Sequence, residues 1–581
     1  MPLGQWGDYS LLRKRLKRSK WCRADIKRFM ENESLDFLMY VGSIKSPRRF
    51  ENHEECTDVV CRGRMVNIDS YKQKHVREDC NCHFVHMPSA FADAVNEGFI
   101  PLASWNGSEI KLSVYNEEHE MPYVAISHVW SDGKGNNDAN ALYKCQLDLI
   151  DEKIRVLYSY PIRSPSLGNP LFGPTKIRGF QDPWRKPVGF WMDTLCTPVR
   201  EDQKILRKKS IAQMRDIYES ADRVLVFDSL IQELRATDSM YEKCVRLVIS
   251  NWQHRLWTLQ EGVLSRQTCF VLQNGAIILD ELKDEEGRKQ QGESPGFYDR
   301  ITSGVQIVPV MNLSLFLDVQ EESPEKKRAS NFTVLIPTIN NRATTRQEDE
   351  TVCIATLLRI DTNPLQAISS PFTSKQLKDL PLIQRQAEEQ QVCDERMKYL
   401  LCQIQIFEAN VIFNTLERIP SDGFRWAPRS FLGQSGSLVT SLPGPQSLAH
   451  SQGHILKSGD MVEGFVVDYT GVILKTPKFA QEPNTIYMEH GKKLFRAVLS
   501  LPSDANPLGD GKYVVVMGTI PKPKYNGGVP SILGMLRGTT ESGIRKIEHI
   551  CLATTKVWDP TSAHRISKDE NVGLDSKWCI S

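Results

Sequence analysis

The 581-residue chain has no surplus of charge: 73 Lys and Arg stand against 71 Asp and Glu, a formal net charge of +2. Nothing in that balance points to nucleic acid or a membrane surface. It has no apolar run near the ~18 residues that a membrane span requires. The basic N-terminus lacks the apolar stretch of a secretory signal. Pro2 excludes myristoylation, and Cys579, third from the end, misses the prenylation position by one residue. Gly (36) and Pro (31) are at ordinary levels, which excludes a collagenous or mainly low-complexity chain. No internal repeat is visible, and the length suits two or three domains. The expected setting is the cytosol or nucleus, where the fourteen Cys are reduced thiols, metal ligands or core residues rather than disulfides.

What is present falls into four stretches. Residues 1–120 open with a basic cluster, Arg13–Lys20, which reads as a nuclear localisation signal or as the solvated face of a helix carrying Leu11, Leu12 and Leu16. Residues 121–280 alternate short apolar runs with amphipathic helices. Strands are expected at Tyr123–Trp130, Val188–Cys196, Arg223–Asp228, 269–272 and 276–279, and helices at 139–158, 204–221, 233–252 and 255–264. Such alternation predicts an α/β layer with a mainly parallel sheet, whose ligands sit beyond the carboxyl ends of the strands. Residues 281–440 read as mostly helical, with loops at 280–294 and 321–330. Residues 441–581 follow a Gly/Ser/Pro-rich linker at 433–453 and read as β-rich, with a loose polar tail after Asp559.

The densest Cys/His patch is Cys56, Cys61, His75, Cys80 and Cys82, with His83 and His86 beside it. Zinc takes four N or S ligands in a tetrahedron, so a structural zinc site from four of the five is expected, with Cys56 the first to drop. Reduced core cysteines with surface histidines are the alternative. No HExxH spacing supports a catalytic zinc.

A second constellation is Arg255-Leu256-Trp257-Thr258-Leu259-Gln260-Glu261. On a helix Trp257 and Glu261 share a face. A carboxylate beside an aromatic wall can have a raised pKa or stabilise a developing cation. The alternative is a surface Glu261 paired with Arg255 or Arg266. Ser127 and His128 are neighbours on a strand and point to opposite faces, which is poor geometry for a nucleophilic dyad. Asp193 is a better polar candidate at the second strand end. Cys196 reads as a core thiol, and Gly133-x-Gly135 lacks the third Gly of a dinucleotide fingerprint.

Tyr123–Trp130 with Ser131-Asp132, Trp191–Cys196, Ile211–Ala221 running into Val224–Phe227, and Arg255–Glu261 resemble the successive blocks of the fungal heterokaryon incompatibility (HET) domain. Ser131 stands where a Gly is common, and Thr197-Pro198-Val199 replaces Ile-Asn-Gln, so roles of that Asn and Gln do not carry over. The resemblance implies non-self recognition ending in growth arrest or cell death. It also implies a remote similarity to Toll/interleukin-1 receptor-type (TIR) domains, which are flavodoxin-like. Some of them cleave NAD+ with a Glu four residues after a Trp, the spacing of Trp257 and Glu261. On this reading Glu261 is catalytic, and His128, Trp130, Asp132, Asp193, Arg255 and Trp257 line the NAD+ site. The competing expectation is a non-enzymatic module that self-associates or recruits a recognition partner.

Overall fold

The computed structural model describes residues 10–33, 35–46, 56–58, 61, 71–115, 122–158, 189–279, 323–340, 342–432, 452–475, 484–490, 493–501, 510–518, 528–558, 567–568 and 577–581. The linker at 433–451 and the loop at 280–294 lie outside the described residues. The chain divides into two compact units, residues 1–317 with 341–366 and residues 318–340 with 367–581. Among the described residues no helix is long and apolar enough to cross a membrane.

The first unit is built on a seven-stranded sheet of β1 (Ile100–Trp105), β2 (Ile110–Tyr115), β3 (Val124–His128), β4 (Phe190–Trp191), β5 (Arg223–Phe227), β6 (Thr268–Leu272) and β7 (Gly275–Ile278), in the order β2-β1-β4-β3-β5-β6-β7. The four adjacent strands β4, β3, β5 and β6 are parallel. β1 and β2 on one side and β7 on the other pair antiparallel. The sheet is therefore mixed, where alternation alone suggested a mainly parallel one. β1 and β2 come from the stretch preceding the alternating region, and β6 and β7 are joined through a turn at Gln273–Asn274 too short for a crossover helix. Every residue of β3, β5 and β6 is buried, the mark of strands covered on both faces.

Several boundaries differ from the sequence expectation. β4 is only two residues long, because Asp193 ends it: its carboxylate accepts the next backbone N–H, from Thr194 (2.6 Å), and Asp193–Cys196 turns into a helix. The expected helix at 204–221 is two, Lys204–Ala212 and Met214–Ser220. That at 139–158 is shortened to α1, Lys144–Leu157, after a bridge strand Ala141–Tyr143 that pairs with Phe84–His86. The helical stretch is shared between the units, with Asp349–Leu357 in the first and Pro324–Asn340 and Leu382–Ile404 in the second. Pro324–Asn340 takes in 324–330 of the stretch expected as a loop at 321–330.

The second unit carries an eleven-stranded, largely antiparallel sheet. Val472 and Leu474, Ile486 and Met488, Phe495 and Ala497, and Tyr513 and Val515 alternate onto one apolar face, as strand geometry requires. Of the tail expected to be loose, residues 559–566 and 569–576 lie outside the described residues, but Lys577–Ile580 pairs antiparallel with Met461–Asp468 and parallel with Arg545–Val557. Trp578, Cys579 and Ile580 are fully buried, so burial of this short apolar group outweighs the polar composition around it.

Candidate functional site

β3 ends in Ser127 and His128, whose side chains leave opposite faces of the strand as the pleat dictates. On one side, the Ser127 hydroxyl donates to Glu261 and accepts from the Trp252 indole N–H at 2.7 Å. Glu261 lies on α2 (Trp257–Val263) and is 7% exposed. Burial pushes its carboxyl up to about 7, against the opposing pull of the Ser127 bond and Arg255. It is neither on the outer surface nor paired in a salt bridge with Arg255 or Arg266.

On the other side, His128 Nε2 lies 2.7 Å from Asp193 Oδ1, while the Trp130 indole donates to Asp193 Oδ2 at 2.9 Å. Burial alone would raise the Asp193 carboxyl. His128, Trp130 and the Thr194 N–H outweigh it and hold Asp193 well below the usual carboxylate range. His128 Nδ1 is buried with no partner among the described residues, and so are both amide atoms of Gln260.

The remaining expected site residues have structural attachments. Asp132 accepts the Ser229 N–H (2.8 Å) and hydroxyl (3.0 Å), tying the turn after β3 to the turn after β5. Arg255 Nη1 donates to the His128 carbonyl at 2.9 Å. The Trp257 indole donates to Asp349 at 2.9 Å. Cys196 is fully buried, its thiol pushed up to about 12 by burial, which suits a core residue. The two glycines are needed for packing. Gly133 has φ +88°, and a Cβ at Gly135 would run into the Trp130 ring.

Some participants were not legible in sequence. Arg342 Nη1 donates to the Arg255 carbonyl at 2.7 Å, and burial pushes its guanidinium down to about 9. Asp228 is fully buried and raised to about 7 by burial and by Asp132. Lys134, between the two glycines, is buried with its ammonium 5.5 Å from the centre of the Phe227 ring. Arg342 and Asp349 lie some 80 to 90 residues beyond the helix they support, and no local pattern connects them to it.

The five candidate metal ligands do not meet in one place. His75, Cys80 and Cys82 meet Cys145 of α1, with donor atoms all within 4.8 Å of one another. Cys56 and Cys61 instead meet Cys22, also within 4.8 Å, in a buried group. Sequence spacing could not separate them because the completing cysteines come from other segments, and Cys145 reads as one more apolar position on its helix. Both groups could hold a metal ion such as zinc.

Residues 123–233 match the family model described as heterokaryon incompatibility protein (HET). The chain carries a HET domain. The match spans about a fifth of the chain and connects the protein with heterokaryon incompatibility and fungal cell death. No curated protein and no solved structure matches it. Ser127, His128, Trp130, Asp132, Asp193 and Cys145 fall inside the matched HET segment. Trp252, Arg255 and Glu261 lie beyond it in sequence but are joined to it through the Ser127 and His128 contacts, while Trp257, also beyond it, bonds to Asp349.

Proposed function

We propose that this HET protein is a cell-death effector that cleaves NAD+ at the nicotinamide–ribose bond, with Glu261 as the acting carboxylate. The observation that carries the reading is a buried carboxylate, hydrogen-bonded to Ser127 at the carboxyl end of β3, whose ionisation is held near pH 7 by desolvation. An anion stripped of water is relieved by a nearby cation. The pyridinium of NAD+, and then the oxocarbenium-like ribose as the bond breaks, is such a cation. In the step itself the C1′–N bond breaks and its electron pair leaves with nicotinamide. Water adds its oxygen to C1′ and loses a proton. Ionised Glu261 would stabilise the transient charge, and Trp130 would offer a ring face at the same strand ends. Across the sheet the parallel strands run second, first, third, fourth in chain order, the beginning of the flavodoxin order. That order supports the similarity to TIR domains. The test is to incubate concentrated purified protein with NAD+ and measure released nicotinamide. Release by the wild type and its loss in Glu261→Gln is the expected result.

A second reading, a non-enzymatic module that self-associates or recruits a partner, is favoured by the small exposure of Glu261 and by the internal bonding of Asp132 and Asp193. No nicotinamide release, with concentration-dependent self-association, would select it. A cytosolic or nuclear setting fits fourteen cysteines of which none is in a disulfide. Zinc is the ion whose preferences match the Cys and His groups.

A further inference from the structure

We infer that His75, Cys80, Cys82 and Cys145 form a structural zinc site that braces the Trp130–Gly135 turn of the HET domain. The first argument is about lone pairs. His75 Nδ1 lies 3.5 Å from Cys82 Sγ and 3.6 Å from Cys145 Sγ. A single ring nitrogen thus faces two sulfurs at once, the arrangement of ligands around a shared ion. A shared cation satisfies both. Ligand distances of about 2.3 Å to sulfur and 2.0–2.1 Å to nitrogen, spanned by a tetrahedral angle, put a nitrogen roughly 3.5–3.6 Å from each sulfur, which matches the two nitrogen–sulfur separations observed.

Backbone N–H groups point at two of the three sulfurs. The Val76 N–H donates to Cys145 Sγ at 3.4 Å, and the Cys145 N–H donates to Cys82 Sγ at 3.3 Å. Cys145 stands in the first turn of the fourteen-residue α1, where the helix dipole favours an anion. The His75 ring is stacked on Tyr143 (3.7 Å between centroids), which is stacked in turn on Phe84 (4.0 Å), so the ring is oriented from outside the ligand set. Residues 71–83 contain no helix or strand. Such a segment has few backbone bonds of its own to fix it, and a metal can supply that fixation.

The consequence lies next to the ligands. Lys74, one residue before His75, donates its N–H to the Gly133 carbonyl at 3.0 Å and its ammonium to the Ser131 carbonyl at 3.3 Å. Gln146, one residue after Cys145, donates to the carbonyls of Lys74 (2.7 Å) and Gly133 (2.8 Å). The Tyr71 hydroxyl donates to the Trp130 carbonyl at 2.9 Å and accepts the Gly135 N–H at 2.8 Å. Lys74, Gln146 and Tyr71 thus join the ligand set to the turn, and the turn carries the indole that holds Asp193.

The test uses the full chain purified without chelator. Elemental analysis should find zinc, and Cys145→Ser should lower the content by one equivalent, whereas Cys61→Ser should retain that ion. Removing the metal from wild type should speed hydrogen exchange about tenfold or more over residues 71–76 and 130–136, and leave residues 461–475 of the other unit unchanged. If Cys145→Ser does not fold, stripped wild type loaded with cobalt(II) gives the reading instead: intense visible bands of a tetrahedral site with thiolate charge transfer are expected. Metal-free wild type, undiminished zinc in Cys145→Ser, no such cobalt bands, or unchanged exchange over 130–136 after metal removal would each overturn the proposal.

Discussion

Glu261→Gln should stabilise the first unit at alkaline pH while leaving it nearly unchanged at pH 5. The Glu261 carboxyl is raised from its ordinary 4.5 to about 7, first by burial. The folded state therefore holds the proton more tightly than the unfolded chain does. The sign follows from linkage: stability from this group is present in full below about 4.5, declines as pH rises, and is lost above about 7. Each tenfold change in proton affinity is worth about 1.4 kcal/mol, so the loss is on the order of 3 kcal/mol for a side chain this buried. Gln has nearly the same shape, carries no charge, and can still accept the Ser127 hydroxyl. The variant should match wild type within about 1 kcal/mol at pH 5 and exceed it by roughly 2–3 kcal/mol at pH 8.5. Asp228, also raised to about 7, is present in both proteins and cancels in the difference. Because the chain has two units, a whole-chain melting curve need not be two-state. The assay is denaturant-dependent hydrogen exchange at the β3 amides, Val124–His128, at both pH values. A variant equally or less stable than wild type at pH 8.5, or a difference that does not change with pH, would refute a buried, desolvated Glu261.

Two other outcomes are expected. Gly135→Ala drives a methyl group into the rigid Trp130 ring; the indole must move and surrender its bond to Asp193, so a loss of about 2–4 kcal/mol in thermal or chemical stability, with loss of any NAD+ turnover, should follow. Deleting residues 577–581 removes a strand between two others and the fully buried Trp578, whose indole donates to the Tyr469 carbonyl at 2.9 Å; limited proteolysis should then cut the second unit rapidly and spare the first.

By itself the sequence determined the periodic elements. The runs YVAISH, RVLVF and CFVL read as strands and are strands buried along their length, and the i, i+4 spacing on a helix puts Trp257 and Glu261 on one face. Its block pattern also pointed to the HET domain, and strand alternation alone separated Ser127 from His128. Each of these properties is local, fixed by residues a few positions apart. The tertiary structure decided whatever needed distant partners. It determined which cysteines share a site, since Cys145 joined His75 across some 70 residues and Cys22 took Cys56 and Cys61 elsewhere. It determined that the sheet is mixed, because the antiparallel strands β1, β2 and β7 extend a parallel centre whose pattern they do not alter. It also drew the last residues of a polar-looking tail, Lys577–Ile580, into a sheet and set the charge state of Glu261. Sequence spacing carries backbone periodicity, but desolvation and ligand convergence depend on what the rest of the chain brings alongside.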